Sequence, residues 1–256
     1  MILTDTHTHL YSEKFNEDQQ EMIERAISSG VGRFFMPNID QSSIQGMMQL
    51  VEKYPKKCFP MMGLHPCSVG KNVEEELEIV EQQLKAHHFY AIGEIGIDLY
   101  WDKTFLPQQE YAFRKQIEWA KEMKLPIVIH CREAFDEILA ILDELNSADL
   151  RGIFHCFTGT LEQANHIINY GDFYLGIGGV VTFKKAGLDK VVEKLNIAHL
   201  VLETDSPYLA PSPHRGKRNE SSFLLNIAEK VADLLGLPLK EVAKITTENS
   251  KKIFGI

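Results

Sequence analysis

Thr4-Asp5-Thr6-His7-Thr8-His9-Leu10 follows directly on a short apolar start, Met1-Ile2-Leu3. In an extended strand, residues i and i+2 point to the same face. If this stretch ends a first strand, His7 and His9 project side by side, with Asp5 on the same face and deeper. Two imidazoles at a strand end suit a borderline divalent metal. For an isolated pair the alternative is an ordinary polar strand end. The rest of the chain decides between them by whether it supplies further ligands.

Outward from this stretch, short β-branched or aromatic segments recur at Ile2–Thr6, Gly32–Met36, Phe59–Gly63, Tyr90–Gly93, Pro126–Ile129, Gly152–His155, Phe173–Ile177 and His199–Glu203. Their length and composition predict buried parallel strands. Between them lie amphipathic stretches with helical spacing: Glu17–Ser29, Ser42–Tyr54, Val73–Ala86, Gln108–Met123, Glu133–Leu145, Leu161–Tyr170, Leu188–Leu195, Ser222–Leu235 and a closing Leu239–Phe254. Strict alternation implies parallel strands with right-handed crossovers. Eight such units in 256 residues predict an α/β fold, a single-domain (β/α)8 TIM barrel over residues 1–256. A doubly wound open sheet is the alternative, and the absence of a Gly-x-Gly-x-x-Gly after the first strand counts against it.

Functional groups of such barrels collect at the C-terminal ends of the strands. There the sequence places His7 and His9, His65, Glu94 and Asp98, His130 and Arg132, His155, and Glu203 and Asp205. Each alone has an ordinary reading: a hydrogen-bonded histidine, a turn glutamate between glycines, an aspartate that caps a turn. Gathered on one rim, five histidines and several carboxylates would suffer repulsion and desolvation. Divalent metals remove that conflict.

The chain resembles the TatD-type metal-dependent deoxyribonucleases, a branch of the amidohydrolase-like barrels. The matching motifs are TDTHTHL at 4–10, GLHP at 63–66, GEIGID at 93–98, PIVIHCR at 126–132, FHCFTG at 154–159, LETDSPYL at 202–209 and HRGKRNE at 214–220. Asn249 and Phe254 match the closing helix. The resemblance implies two divalent metal ions, with Mg²⁺ or Mn²⁺ expected for activity and Zn²⁺ or Ni²⁺ also accepted by such ligands. His7, His9 and Asp205 would bind one ion, His130 and His155 the other, and Glu94 would bridge them. It further implies a metal-activated water that cleaves DNA phosphodiester bonds, from single strands or strand ends. Asp205 is then a candidate base as well as a ligand. His65 is assigned to phosphate contact or leaving-group protonation, and Glu203 either to orienting a ligand or to proton transfer. Asp5 could orient a ligand from beneath, or make a buried structural hydrogen bond.

His214-Arg215-Gly216-Lys217-Arg218 is the most basic stretch of a chain with net charge −9. Its position past the last strand suggests phosphate contact by Arg215, Lys217 and Arg218, and Arg132 could do the same. A solvated surface run is the alternative. Tyr100, Trp101 and Phe157 could stack on a base, with core or rim packing as the default. The acidic balance argues against broad coating of nucleic acid. Four cysteines without a C-x-x-C pair, no signal peptide and no long apolar run predict a cytoplasmic protein with free thiols and neither a membrane nor an obligate protein partner. Two departures from the family pattern, Ser221-Ser222 in place of an expected proline and Leu99 directly after Asp98, bear on pocket shape and not on ligands. The rival readings are an amidohydrolase-type enzyme cleaving a C–N or ester bond of a small molecule, and a non-catalytic metal-stabilised barrel. Glu94 at the bridging position, where some amidohydrolases use a modified lysine, counts against the first. The full ligand set counts against the second.

Overall fold

The β-branched and aromatic segments form strands and the amphipathic stretches form helices. The computed structural model describes residues 1–256. In chain order the elements are β1 (Leu3–Asp5), α1 (Gln19–Ser28), β2 (Val31–Pro37), α2 (Gln41–Lys53), β3 (Cys58–Met61), α3 (Val73–Ala86), β4 (Ile92–Asp98), α4 (Leu106–Met123), β5 (Ile127–Arg132), α5 (Phe135–Leu145), β6 (Gly152–Phe154), α6 (Leu161–Asn169), β7 (Phe173–Ile177), α7 (Leu188–Val192), β8 (Leu200–Leu202), α8 (Leu224–Leu235) and α9 (Leu239–Phe254).

All strand pairs are parallel. β1 to β3 form one run and β4 to β8 another. Single bridges join the two, Met62 to Ile92 on one side and Thr8 to Ser206 on the other. The second seam continues past the ends of β1 and β8: Thr6 N–H donates to Leu202 O at 3.0 Å, Asp205 N–H to His7 O at 2.9 Å and His9 N–H to Ser206 O at 2.8 Å. The sheet therefore closes, and the (β/α)8 barrel, not the open sheet, is the fold. His7 and His9 lie just past β1, where the chain bends at Thr6 and His7, and this seam holds them in place.

The barrel interior changes character two residues at a time. A buried apolar cluster contains Phe35, Val128, Ile153, Tyr174 and Val201, and α9 adds Ile253 and Phe254 to it. Phe254 stacks on Phe35 with ring centroids 3.7 Å apart. α9 is tied to the N-terminal ends of the strands, where Asn249 donates to Leu200 O at 2.8 Å and Thr247 to Ile2 O at 3.0 Å. One inward position further along, Val128, Ile153 and Val201 give way to His130, His155 and Glu203, because side chains two apart share a face. The floor is apolar, and the next layer carries the candidate site.

β4 differs most from the sequence reading, which ended it at Gly93. It runs to Asp98. Gly93 and Gly96 look like strand terminators but mark close approach of backbones. Gly96 has φ of +140°, and a Cβ there would lie 2.0 Å from His130 O. Glu94 and Asp98 therefore lie within a buried strand beside β5. No helix is long and apolar enough to cross a membrane.

Candidate metal centre

Glu94 is the hub. It is 2% exposed, and its two carboxylate oxygens face different histidines. Oε2 lies 3.1 Å from His7 Nε2 and 3.8 Å from His9 Nε2. Oε1 lies 2.7 Å from His130 Nδ1, 2.8 Å from His155 Nε2 and 3.4 Å from His65 Nε2. Asp205 Oδ1 closes the first group, 3.4 Å from His9 Nε2 and 3.9 Å from His7 Nε2. His7 stacks on His155 with centroids 3.8 Å apart, so the two groups touch. The structure thus brings together all six residues expected as ligands, and adds His65 to the second group.

Burial pushes the Glu94 carboxyl up, but the surrounding histidines outweigh it and hold the group well below the usual carboxylate range. His155 shows the reverse balance: burial lowers it, and Glu94 and Glu203 carry it well above the usual histidine range. His7 goes the other way, lowered chiefly by burial and by His155. Its ring nitrogens are buried without a hydrogen-bond partner. The 3.1 Å approach to Glu94 is close in distance but misaligned for a hydrogen bond. An orphaned neutral imidazole at 0% exposure is costly unless its lone pair meets a cation. Three groups, His7-His9-Glu94, His7-His155-Glu203 and His65-Glu94-His130, keep their candidate donor atoms within 4.8 Å of one another. This donor set of imidazoles and carboxylates fits divalent metal.

Several supports fix how these rings point. His9 Nδ1 lies 2.9 Å from the Tyr11 hydroxyl, which itself donates to Pro37 O. The hydroxyl proton being spent on Pro37, its oxygen accepts from His9 Nδ1–H and leaves Nε2 as a free lone pair. Tyr11 escaped the sequence reading, since it lies past the strand and its partner is on β2. We expect Tyr11→Phe to weaken Mn²⁺ binding about tenfold, read by calorimetric titration. Unchanged affinity would show that His9 is held by other contacts.

Asp98, noted in the sequence but given no role, accepts from His130 Nε2 at 2.8 Å and from Tyr100 N–H at 3.0 Å. Against burial, these bonds hold its carboxyl down to about 2. His65 Nδ1 accepts from Cys67 N–H at 3.0 Å, so in the neutral ring the proton sits on Nε2, facing Glu94.

Two residues are each open to two roles in the sequence, and the geometry of each supports one of them. Glu203 is 0% exposed and lies under the centre. Its Oε1 accepts from Cys156 N–H at 2.6 Å and meets His155 Nδ1 at 3.3 Å. That geometry matches the ligand-orienting one of its two expected roles, through His155. Gly176 makes room for it, because a Cβ there would come within 2.2 Å of Glu203 Oε2. Asp5 pairs with no ring nitrogen of His7 or His9, and accepts from the His7 backbone N–H at 3.4 Å. Its carboxylate accepts from Thr204 N–H, Thr204 Oγ1 and Ser221 Oγ at 2.6–2.9 Å, which ties β1 to the segment after β8. Burial raises it to about 7 despite those bonds.

The basic stretch is also largely structural. Arg218 forms a two-pronged pair with Asp18 at 2.7 Å and donates to Lys14 O. Asp18 is held down to about 2 by hydrogen bonds from Arg218 and Arg25. Arg215 lies over the Phe183 ring, and Lys217 is exposed. None of the three lines the cleft of about 600 Å³ above the centre, whereas Arg132 does. Charge along the chain suggested phosphate contact because Asp18, some 200 residues away, is invisible to it. Phe157 is 2% exposed and packs against Phe135, so it cannot receive a base.

The comparisons agree with this geometry. The family model described as TatD related DNase matches residues 4–255. The chain is 42% identical over 257 residues to the uncharacterized metal-dependent hydrolase YabD of Bacillus subtilis, covering 100% of each chain. It is 30% identical over 258 residues to the 3'-5' ssDNA/RNA exonuclease TatD of Pantoea ananatis, covering 98% of this chain and 99% of that one. The crystal structure of the TatD homologue YjjV from Escherichia coli superposes with a TM-score of 0.93 at 28% identity, covering 99% and 98% of the two chains.

Proposed function

The chain belongs to the TatD-related DNase family of metal-dependent hydrolases, and from that premise we propose that it hydrolyses phosphodiester bonds at the ends of single-stranded DNA. The observation that carries the proposal is the division of Glu94 between two histidine groups, one on each oxygen. A carboxylate shared between two ligand sets would suit a pair of divalent ions of the kind phosphoryl chemistry uses. Such ions supply the charge that makes a water nucleophilic near neutral pH and offsets charge on phosphate oxygens.

The residues divide the remaining work. His7, His9 and Asp205 would hold one ion and His130 and His155 the other, with Glu94 shared between the two groups. Tyr11, Asp98 and Glu203 orient His9, His130 and His155 from outside. Asp205 is kept ionised by the histidines around it against its burial, and accepts the proton of the attacking water. His65 presents Nε2–H toward the centre because Cys67 N–H occupies Nδ1, and donates to the leaving oxygen. Arg132 contacts a phosphate. An exonucleolytic mode accords with relatives such as the 3'-5' ssDNA/RNA exonuclease TatD of Pantoea ananatis.

The test is degradation of end-labelled single-stranded DNA by the purified protein with Mg²⁺ or Mn²⁺. Stepwise shortening that stops on chelation is expected. Full degradation by a metal-depleted sample overturns the mechanism, and turnover of small amides or esters alone favours the amidohydrolase reading.

A further inference from the structure

The segment between β4 and α4 carries an exposed aromatic pair beside the metal centre. Tyr100 is 48% exposed and Trp101 74%, whereas the protein's other tryptophan, Trp119, is 4% exposed. Single exposed aromatics are ordinary. This pair is distinguished by what surrounds it. The Arg132 guanidinium lies 3.7 Å from the Tyr100 centroid and 5.5 Å from that of Trp101. The two aromatic rings meet edge to face at 4.7 Å. Arg132 makes no salt bridge, unlike Arg25, Arg114 and Arg218, which pair with carboxylates. The pair is not a loose excursion. Leu99 is buried beneath it, Tyr100 N–H is fixed on Asp98 Oδ1, and Asp102 Oδ1 accepts from Thr104 N–H at 2.8 Å to turn the chain. Trp101 and Arg132 line the same cleft as Glu94, His65 and His130.

An unpaired cation stacked on rings, next to a site for a phosphate, matches a ligand that has an anion and a planar ring side by side. A nucleotide has both. A small amide or ester needs neither. We propose that Trp101, backed by Tyr100 and Arg132, is the stacking platform for the nucleobase beside the scissile phosphate. This deepens, and rests on, the reading of the protein as a nuclease. Stacking on an indole needs an unpaired base with a free face, and it tolerates any of the four bases, since each has one. The platform therefore selects for single-stranded ends and against base-paired ones without reading sequence.

The test compares wild type, Trp101→Ala and Trp101→Phe, all loaded with Mn²⁺, on single-stranded oligonucleotides with normal or abasic terminal nucleotides. Wild type is expected to prefer the normal end, and Trp101→Ala to lose about tenfold in kcat/KM on it, so that the normal-to-abasic preference collapses. Trp101→Phe keeps most of it. As a second readout, a phosphorothioate oligonucleotide quenches tryptophan fluorescence in wild type, and Trp101→Phe, with only Trp119 left, removes the quench. Equal losses on normal and abasic ends, or no loss on either, overturn the platform while leaving the nuclease reading intact. Hydrolysis of neither oligonucleotide by wild type overturns the nuclease reading itself, and the platform with it.

Discussion

Glu94→Gln is expected to lower kcat on single-stranded DNA by about 10³-fold or more, ~4 kcal/mol of transition-state stabilisation, in a protein that still folds. The side chain is isosteric, so the packing of β4 beside β5 is preserved. What is lost is the negative charge that meets five imidazoles within 4 Å. An amide offers one carbonyl oxygen, and its NH₂ group turns a donor toward either His7 and His9 or His130 and His155. One of the two groups therefore loses its shared ligand. Metal content should fall below two ions per chain by elemental analysis. The far-ultraviolet circular dichroism and the cooperative melt should persist, because the apolar layer of Phe35, Val128, Ile153 and Val201 lies beneath the substitution. Wild-type turnover in Glu94→Gln would rule out the carboxylate as a shared ligand, and with it the proposed mechanism.

How much of this was readable beforehand depended on whether a contact follows strand geometry. His7 and His9 were legible because a spacing of two fixes a common face. His130, His155 and Asp205 were legible because parallel strands of a barrel end on one rim. Glu94 is legible for the same reason, although its strand runs past Gly93, which marks a close approach of backbones and not a strand end. The contacts that strand geometry does not fix are those between segments far apart in sequence and off the strand lattice. The Tyr11 hydroxyl reaches back to Pro37 O, Arg218 reaches Asp18, and Glu203 points under His155 to Cys156 N–H. Asp205 shows how sharp the limit is. One residue pair beyond Glu203, it would repeat the inward face if the strand continued. Instead it sits at φ +54°, a left-handed conformation that aspartate tolerates, and so turns out of the strand toward His9.

The second large effect is on metal affinity as pH changes. In the metal-free protein burial lowers His155, His130 and His65, but carboxylates outweigh it: Glu94 and Glu203 at His155, Asp98 and Glu94 at His130, Glu94 at His65. All three are shifted upward and hold protons above the usual histidine range. His7 is shifted downward and is already neutral. Ligation needs a lone pair, so metal must expel the protons on His155 and His130 but none from His7. Apparent affinity for Mn²⁺ or Zn²⁺ is therefore expected to rise with pH from the usual histidine range upward, about tenfold per unit for each proton displaced, and near a hundredfold if both leave together. Stability moves in opposite senses in the two states. For the metal-free protein, a folded pKa above the unfolded one contributes stability that is full below the unfolded value of roughly 6.5 and is lost as pH climbs through the folded value. For the loaded protein, the gain over the metal-free form grows across that same window, because binding tightens as the protons leave. The midpoint of the chelated protein should thus fall as pH climbs above the usual histidine range, while the metal-induced increase in midpoint widens. Titration calorimetry in buffers of different ionisation enthalpy counts the protons directly. Release of one to two protons per chain at pH 7 is the expected result. Flat affinity over this range with no proton release would mean that the histidines are neutral before metal arrives, and that the buried carboxylates do not govern them.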